Sequence, residues 1–414
     1  MKKYCFLTIL LVNYFQSFAQ VQFEVNPPEH IKSIVFTGDT DDQFPIVQLG
    51  SSVTLEFDDI TASEQDFYYK ITHCNYDWTP SQLLKSQYLN GIDDQRITDY
   101  QNSYNTLQSY SNYTLTLPND DVKFKVSGNY MLEIYDNNYE LLFSRRFLIY
   151  QNSVTVTSEI KRARDFSHIF DKQVVQLNID YSNYQIVNPK KEAKVVILQN
   201  YHWPTALYGL KPQYTIGKEL IYKYDLEASF YGGNEYLNFD NKDLRVATVA
   251  ISRISLTDLY NHFLFPDKFR NKQEYTYNPD INGNFVIRTL QGDDSSREAE
   301  YTYVHFSLPY QEELKTNEVY VFGKFNNYAL EEENKMTYNT KKGMLETTIK
   351  LKQGFYNYKY VVKNKDNTID YNKIGGNFHF TENSYLTLVY YRNFGDLYDS
   401  LIGISNTTSE NISN

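Results

Sequence analysis

The chain has 414 residues, with 40 Lys and Arg against 51 Asp and Glu for a formal charge of −11, and it carries 40 Tyr and 26 Phe but only 2 Trp and 2 Cys. An acidic chain without a basic tract excludes nucleic acid and anionic lipid as partners. Two cysteines exclude a disulfide scaffold, so the domains must stand on hydrophobic cores, and at about 100 to 150 residues each there is room for three.

Residues 1–19 read as a signal peptide: Lys2 and Lys3 form a charged start, Cys5 to Val12 is an apolar core, and Ser17-Phe18-Ala19 offers small residues for cleavage before Gln20. Cys5 stands too early for a lipoprotein cysteine. Removing Lys2 and Lys3 takes the charge from −11 to −13 and leaves Cys74 alone. No later stretch approaches the roughly 20 apolar residues of a membrane helix, so an exported, soluble protein with no direct membrane span is expected.

Residues 20–157 alternate as an antiparallel β-sandwich. His30 to Phe36, Val53 to Phe57, Phe67 to Cys74, Tyr113 to Leu117, Asn129 to Tyr135 and Leu141 to Ile149 are the predicted strands, and Gly38 to Gln43 is an acidic loop. Residues 81–111 interrupt them, with a short helix expected at Ser81 to Leu89 and a polar tail bearing Tyr100, Tyr104 and Tyr110. An insertion of this length is expected to form a functional surface. Trp78 reads first as a packing ring at the mouth of the sandwich and alternatively as a binding anchor. His73 and Cys74 fall on opposite faces of one strand, which argues against a metal or nucleophile site.

A charged link, Ser158 to Asp171, opens a predicted middle domain, 158–299. Val174 to Asp180, Lys194 to Gln199, Leu220 to Leu226, Val246 to Ile254 and Tyr275 to Thr289 are expected strands, with Trp203 in a loop and Asn282-Gly283 as a hairpin signal. Glu235 and Asp240 resemble a glycosidase carboxylate pair, but a five-residue offset puts them on opposite strand faces, and pairing with Arg245 is expected instead. A third domain, 300–395, holds strands around Val319 to Val321, Leu345 to Ile349 and Phe355 to Val362. In the tail, 396–414, Asp399 to Gly403 is expected to dock and Ser405 to Asn414 to stay loose. The fold class expected is all-β, with tandem sandwiches. No His-Glu-x-x-His, Cys-x-x-Cys, phosphate loop or Gly-x-Ser-x-Gly motif occurs, so no catalytic residue, metal or cofactor is expected and the chain does not read as an enzyme.

Gly323-Lys324-Phe325-Asn326-Asn327-Tyr328 and Gly354-Phe355-Tyr356-Asn357-Tyr358-Lys359 resemble the Gly-x-Phe-Asn-x-Trp and Gly-x-Tyr-x-Tyr-Lys strands of glycogen-binding, early-set immunoglobulin-like modules. The resemblance implies a sugar site at Tyr328, Lys359, Thr381 and Asn383. Tyr328 replaces the first stacking tryptophan, and Asn364 to Tyr371 lacks the second.

From about Val21 to Gly403 the chain also resembles the plug protein family of the type IX secretion system, found in gliding and protein-secreting Gram-negative bacteria. The motifs that carry this are Tyr69 to Trp78, Gln87 to Gly91, Ser127 to Tyr130, Arg145-Arg146-Phe147, Gly233 to Tyr236, Thr381 to Tyr385 and Val389 to Arg392, in that order. The resemblance implies a periplasmic protein at the inner face of the outer membrane, a monomer in a hetero-complex with a giant translocon barrel of the 36-strand class. It would seal the periplasmic opening until a cargo-loaded partner replaces it. Rings near predicted loops, Trp78, Trp203 and Tyr328, are the candidates for the partner interface. The alternative is a periplasmic or secreted glycan-binding protein.

Overall fold

The computed structural model describes residues 20–38, 44–314, 316–410 and 412. The expected leader and most of the acidic loop at 39–43 lie outside them. Among the described residues α-helices are single turns of four residues, and the rest of the regular structure is strands and short 3₁₀ turns. The fold is all-β, in tandem sandwiches.

The first sandwich has an outer sheet in the order Ile31–Thr37, Val53–Asp59, Ser111–Leu117, Asp99–Asn102. Its second sheet runs Ile46–Gln48, Leu141–Tyr150, Gly128–Tyr135, Tyr68–Cys74, Gln95–Arg96. Val53, Leu55 and Phe57 alternate into the space between the sheets and meet Ile71, Tyr130, Ile134 and Phe147. The helix expected at Ser81 to Leu89 is reduced to Lys85–Tyr88. Nearby, Leu89–Gly91 pairs with Val122–Phe124 instead of extending the turn.

The second sandwich departs from the expected boundaries at 158–299 and 300–395. One sheet is local: Thr155–Arg162, Lys172–Asp180, Glu219–Tyr222, Tyr214–Ile216. The other pairs Ala193–Gln199 with Ser384–Tyr391 in register from Ala193 opposite Tyr391 to Gln199 opposite Tyr385, and Ser400–Thr408 then lines the far edge. Much of the tail expected to stay loose is therefore a strand. Leu401 and Ile402 are buried, and the polar residues after them alternate on an edge whose unpaired side can face water.

The third sandwich makes up its strands from both expected domains. Leu237–Asp240 and Phe285–Ile287 pair with Gly354–Lys363, which also takes Glu318–Phe322. The opposing sheet runs Ile251–Leu256, Tyr260–Leu264, Tyr301–Pro309, Met344–Lys352, Thr337–Asn339. Asn282 and Gly283 do take positive φ, 54° and 83°, but only Phe285–Ile287 of the predicted Tyr275 to Thr289 stretch is a strand. Gly323 sits where an added Cβ would meet the Asn357 carbonyl oxygen at 2.7 Å, so the turn into Lys324–Asn326 requires glycine.

The first two sandwiches stack face to face. Cys74, Met131 and Leu148 from the first meet Val196, Leu198, Leu386, Leu388 and Leu401 from the second in one apolar layer. The two middle sheets are thus buried on both faces, which explains the unbroken apolar run from Val195 to Leu198 and the almost wholly buried Ser384–Tyr391. Four sheets form one block.

Candidate functional site

Trp78 and Trp203 meet at the seam between the first two sandwiches. Their rings cross edge to face at 4.9 Å, and the Arg146 guanidinium lies 4.4 Å from the Trp78 ring and 5.4 Å from that of Trp203. Trp78 has φ of 65° and is 1% exposed, held by its backbone N–H to the Asn75 carbonyl and by the Asp77 carboxylate accepting from Thr79. A ring so enclosed cannot anchor an outside partner in this state. Deeper in the seam Asp399 accepts from Lys194 at 2.7 Å and from Arg392 at 2.9 and 3.1 Å, while Arg392 also donates to Asn75. The two cations and the carboxylate all belong to the second sandwich, and the Arg392 bond to Asn75 with the Tyr76 N–H donating to Asp399 carries this cluster across to the first.

The insertion at 81–111, expected to form a functional surface, turns back onto the third sandwich. The backbone N–H groups of Leu107 and Gln108 donate to the Glu300 carboxylate, and the Tyr110 hydroxyl donates to the Ala299 carbonyl at 2.9 Å. Beneath this contact Asp58 of the first sandwich pairs with Lys352 of the third at 2.7 Å, and both are buried. The Tyr301 hydroxyl and the Asn112 amide donate to the same carboxylate at 2.6 and 2.8 Å. Of the tail tyrosines, only Tyr104 is fully exposed.

The four residues of the glycan reading do not form an open sugar platform. The Asn383 amide donates to Gln173 and to the Gly232 and Thr381 carbonyls, and the Thr381 hydroxyl donates to the Gly233 carbonyl. Both residues are buried because the last strand of the sugar-binding pattern has left for the second sandwich. The Tyr328 ring packs edge to face on His202 at 5.3 Å, half-buried. Lys359 faces a cavity between the second and third sandwiches.

Asp240 takes Arg288 at 2.6 Å and Lys242 at 3.5 Å as partners, not Arg245. Glu235 is likewise not paired with Arg245: it accepts from the Tyr275 hydroxyl and the Glu382 backbone N–H. His73 and Cys74 do lie on opposite faces, His73 among Tyr88, Tyr130 and Tyr398, Cys74 in the layer between sandwiches. Burial pushes the Cys74 thiol up to about 12. It should therefore stay unlabelled by a thiol-reactive chromophore in the native protein and react fully after urea unfolding; rapid native labelling would show that the seam opens. Among the described residues no group of three or more His, Cys, Asp or Glu side chains is placed to hold a metal ion.

An outward aromatic patch was missed by sequence reasoning. Phe166 and Phe170 project from the charged link, and Phe170, 72% exposed, neighbours the His379 ring. Phe380, 59% exposed, continues the patch beyond the His379 ring, with the Tyr275 ring 6.1 Å away. The sequence signal was two phenylalanines in an otherwise polar link. What it lacked was the chain at 375–380, brought there by backbone hydrogen bonds from His379 to the Phe170 carbonyl and from Phe378 to that of Gly233.

The type 9 secretion system plug protein 1st domain profile matches residues 31–151. The crystal structure of a hypothetical protein from Parabacteroides merdae matches at 32% identity and a TM-score of 0.89, covering 94% of this chain and 100% of that one. The first sandwich belongs to the type 9 secretion system plug protein 1st domain family. In the same chain a second profile, the glycogen recognition site of AMP-activated protein kinase, matches residues 308–390, and both profiles describe non-catalytic kinds of domain. The biofilm associated protein BSP domain aligns with 95% of this chain and 61% of its own at 8% identity and a TM-score of 0.19, which carries no argument. No curated protein matches the chain. The family profile ends at the close of the first sandwich, at the layer that joins it to the second.

Proposed function

We propose that this protein is a periplasmic stopper for the type IX translocon, sealing the inner mouth of a giant outer-membrane barrel until a cargo-loaded partner replaces it. The observation that carries the reading is the locking of three sandwiches into one body. Four sheets at about 10 Å spacing span roughly 40 Å with their side chains, and the third sandwich widens the block. A 36-strand barrel tilted near 40° has a backbone diameter of roughly 70 Å. One domain would leave a gap around itself, whereas a rigid composite covers most of such an opening. Steric occlusion needs no bond made or broken.

A stopper that leaves on cue needs a moderate contact with the barrel, and the patch of Phe170 and Phe380 around His379 supplies one. Phe170→Ser with Phe380→Ser should cut co-purification with the barrel by about tenfold or more, with the melting temperature unchanged because both rings face water. Pull-down of tagged protein from solubilised outer membranes tests the function. One very large barrel protein should accompany it, and deletion of the gene should raise permeability to large antibiotics. Absence of the barrel from the pull-down, together with unchanged permeability, would refute the plug reading. Retention of the barrel by the double variant would refute only the patch.

A further inference from the structure

Between the second and third sandwiches lies a cavity of about 240 Å³. Lys359 enters it from the long strand Gly354–Lys363, and its ammonium has no hydrogen-bond or ion-pair partner among the described residues. It rests instead among three rings, 5.1 Å from the centre of Tyr236 and 5.7 Å from those of Phe322 and Tyr371. Ring faces attract a cation but replace only part of its hydration, and burial pulls the ammonium down to about 8. Two other enclosed lysines among the described residues, Lys352 and Lys194, each hold a carboxylate. Lys359 alone among these faces empty volume.

His202 lines the same cavity. The Thr205 hydroxyl donates to the His202 carbonyl, so its oxygen is free to accept from His202 Nδ1–H at 2.9 Å. That tautomer leaves Nε2 as an acceptor, and no donor among the described residues reaches it. The cavity thus offers a cationic donor and a neutral acceptor beside aromatic surface, with Lys172 at the rim. A single negative charge matches the one enclosed ammonium.

We propose that this cavity binds a small hydroxylated monocarboxylate, the carboxylate on the Lys359 ammonium and a hydroxyl donating to His202 Nε2. The site would make the joint between the second and third sandwiches responsive to a periplasmic solute, a property separate from occlusion of the barrel. Its volume lies below the usual range of drug-sized pockets and suits a molecule no larger than a sugar acid.

The test is a thermal melt of the whole protein with lactate, D-glucuronate, propionate, glucose and inorganic phosphate. Lactate or glucuronate at 100 times its dissociation constant should raise the melting temperature by about 2 °C or more, with propionate weaker than lactate and glucose inert. Lys359→Met should melt no lower than wild type, since it removes an uncompensated charge, and should lose the carboxylate response, with affinity down about tenfold or more. In the wild-type protein, ¹⁵N NMR of the lysine side chains should show the Lys359 titration moving up when the carboxylate is present. No shift with either acid, the same shift in Lys359→Met, or an equal response to glucose overturns the proposal. A response to phosphate without one to the carboxylates overturns the ligand class.

Discussion

Lys352→Met should destabilise the protein by about 3 to 5 kcal/mol, because it leaves Asp58 buried without its counter-ion. The pair spans the first and third sandwiches at 2.7 Å, with Asp58 also accepting from Tyr301 and Asn112, and Lys352 also donating to the Ser296 carbonyl at 2.6 Å. The Tyr110 ring covers the ammonium at 4.1 Å, and burial draws its pKa below the usual lysine range against the pull of Asp58. Desolvating both charges cost much of what their attraction returns, so removal of one partner is far worse than removal of both. Asp58→Asn combined with Lys352→Met, which removes both charges and keeps an acceptor for Tyr301 and Asn112, should therefore recover most of the loss. Urea unfolding followed by tyrosine fluorescence and circular dichroism measures this. A single-variant loss under about 1 kcal/mol, or a double variant no better than the single, would show that the joint is not sealed from water. The single variant should also uncouple the insertion at 81–111 from the third sandwich, visible as faster exchange at Leu107 and Gln108 N–H.

Buried histidines and buried carboxylates should give opposite pH dependences. His262 is fully buried, and burial draws its imidazole down to about 4; His73 lies at about 4 and His202 at about 3 for the same reason. Each is neutral in the fold, while the unfolded chain takes up a proton near 6.5. The contribution of such a histidine is present above pH 6.5 and is lost as pH falls through 4. Relative to His262→Leu, the wild type should lose on the order of 3 kcal/mol between pH 7 and 4. Asp280 runs the other way. Burial pushes its carboxyl up to about 7, with Glu235 and Glu382 adding repulsion, so the folded state holds a proton that the unfolded state releases near 3.8. Its stability is present below pH 3.8 and is lost as pH rises through 7. Asp280→Asn should accordingly gain on the wild type across that window, by on the order of 4 kcal/mol. Stability curves of the three proteins at pH 4, 5.5 and 7 check both signs. Parallel curves would mean that these groups are hydrated in the native state.

How much of this was readable beforehand differs from strand to strand. Val53–Asp59 and Lys172–Asp180 announce themselves through alternation, because one face of each meets a core and the other does not. Ala193–Gln199 and Ser384–Tyr391 were also recognisable as strands, yet their partnership across almost 200 residues was not. Their apolar runs signalled burial on both faces without naming what covers them. The same limit applies to Trp78 and Trp203, whose loops were recognised while their meeting under Arg146 was not. Thr381 and Asn383 fit a sugar-binding pattern in one dimension, and the departure of the following strand to another sandwich removed them from the surface.

By itself the sequence determined the all-β class, the strand faces and the family of the first sandwich, since these rest on local periodicity and on motifs of fixed spacing. Only the tertiary structure decided which strands share a sheet, that Lys352 finds Asp58, and that Phe170 and Phe380 form one patch. Side-chain alternation is set within a few residues by the pleat of the backbone. Pairing between distant segments is selected by the burial and hydrogen bonding of the whole chain at once.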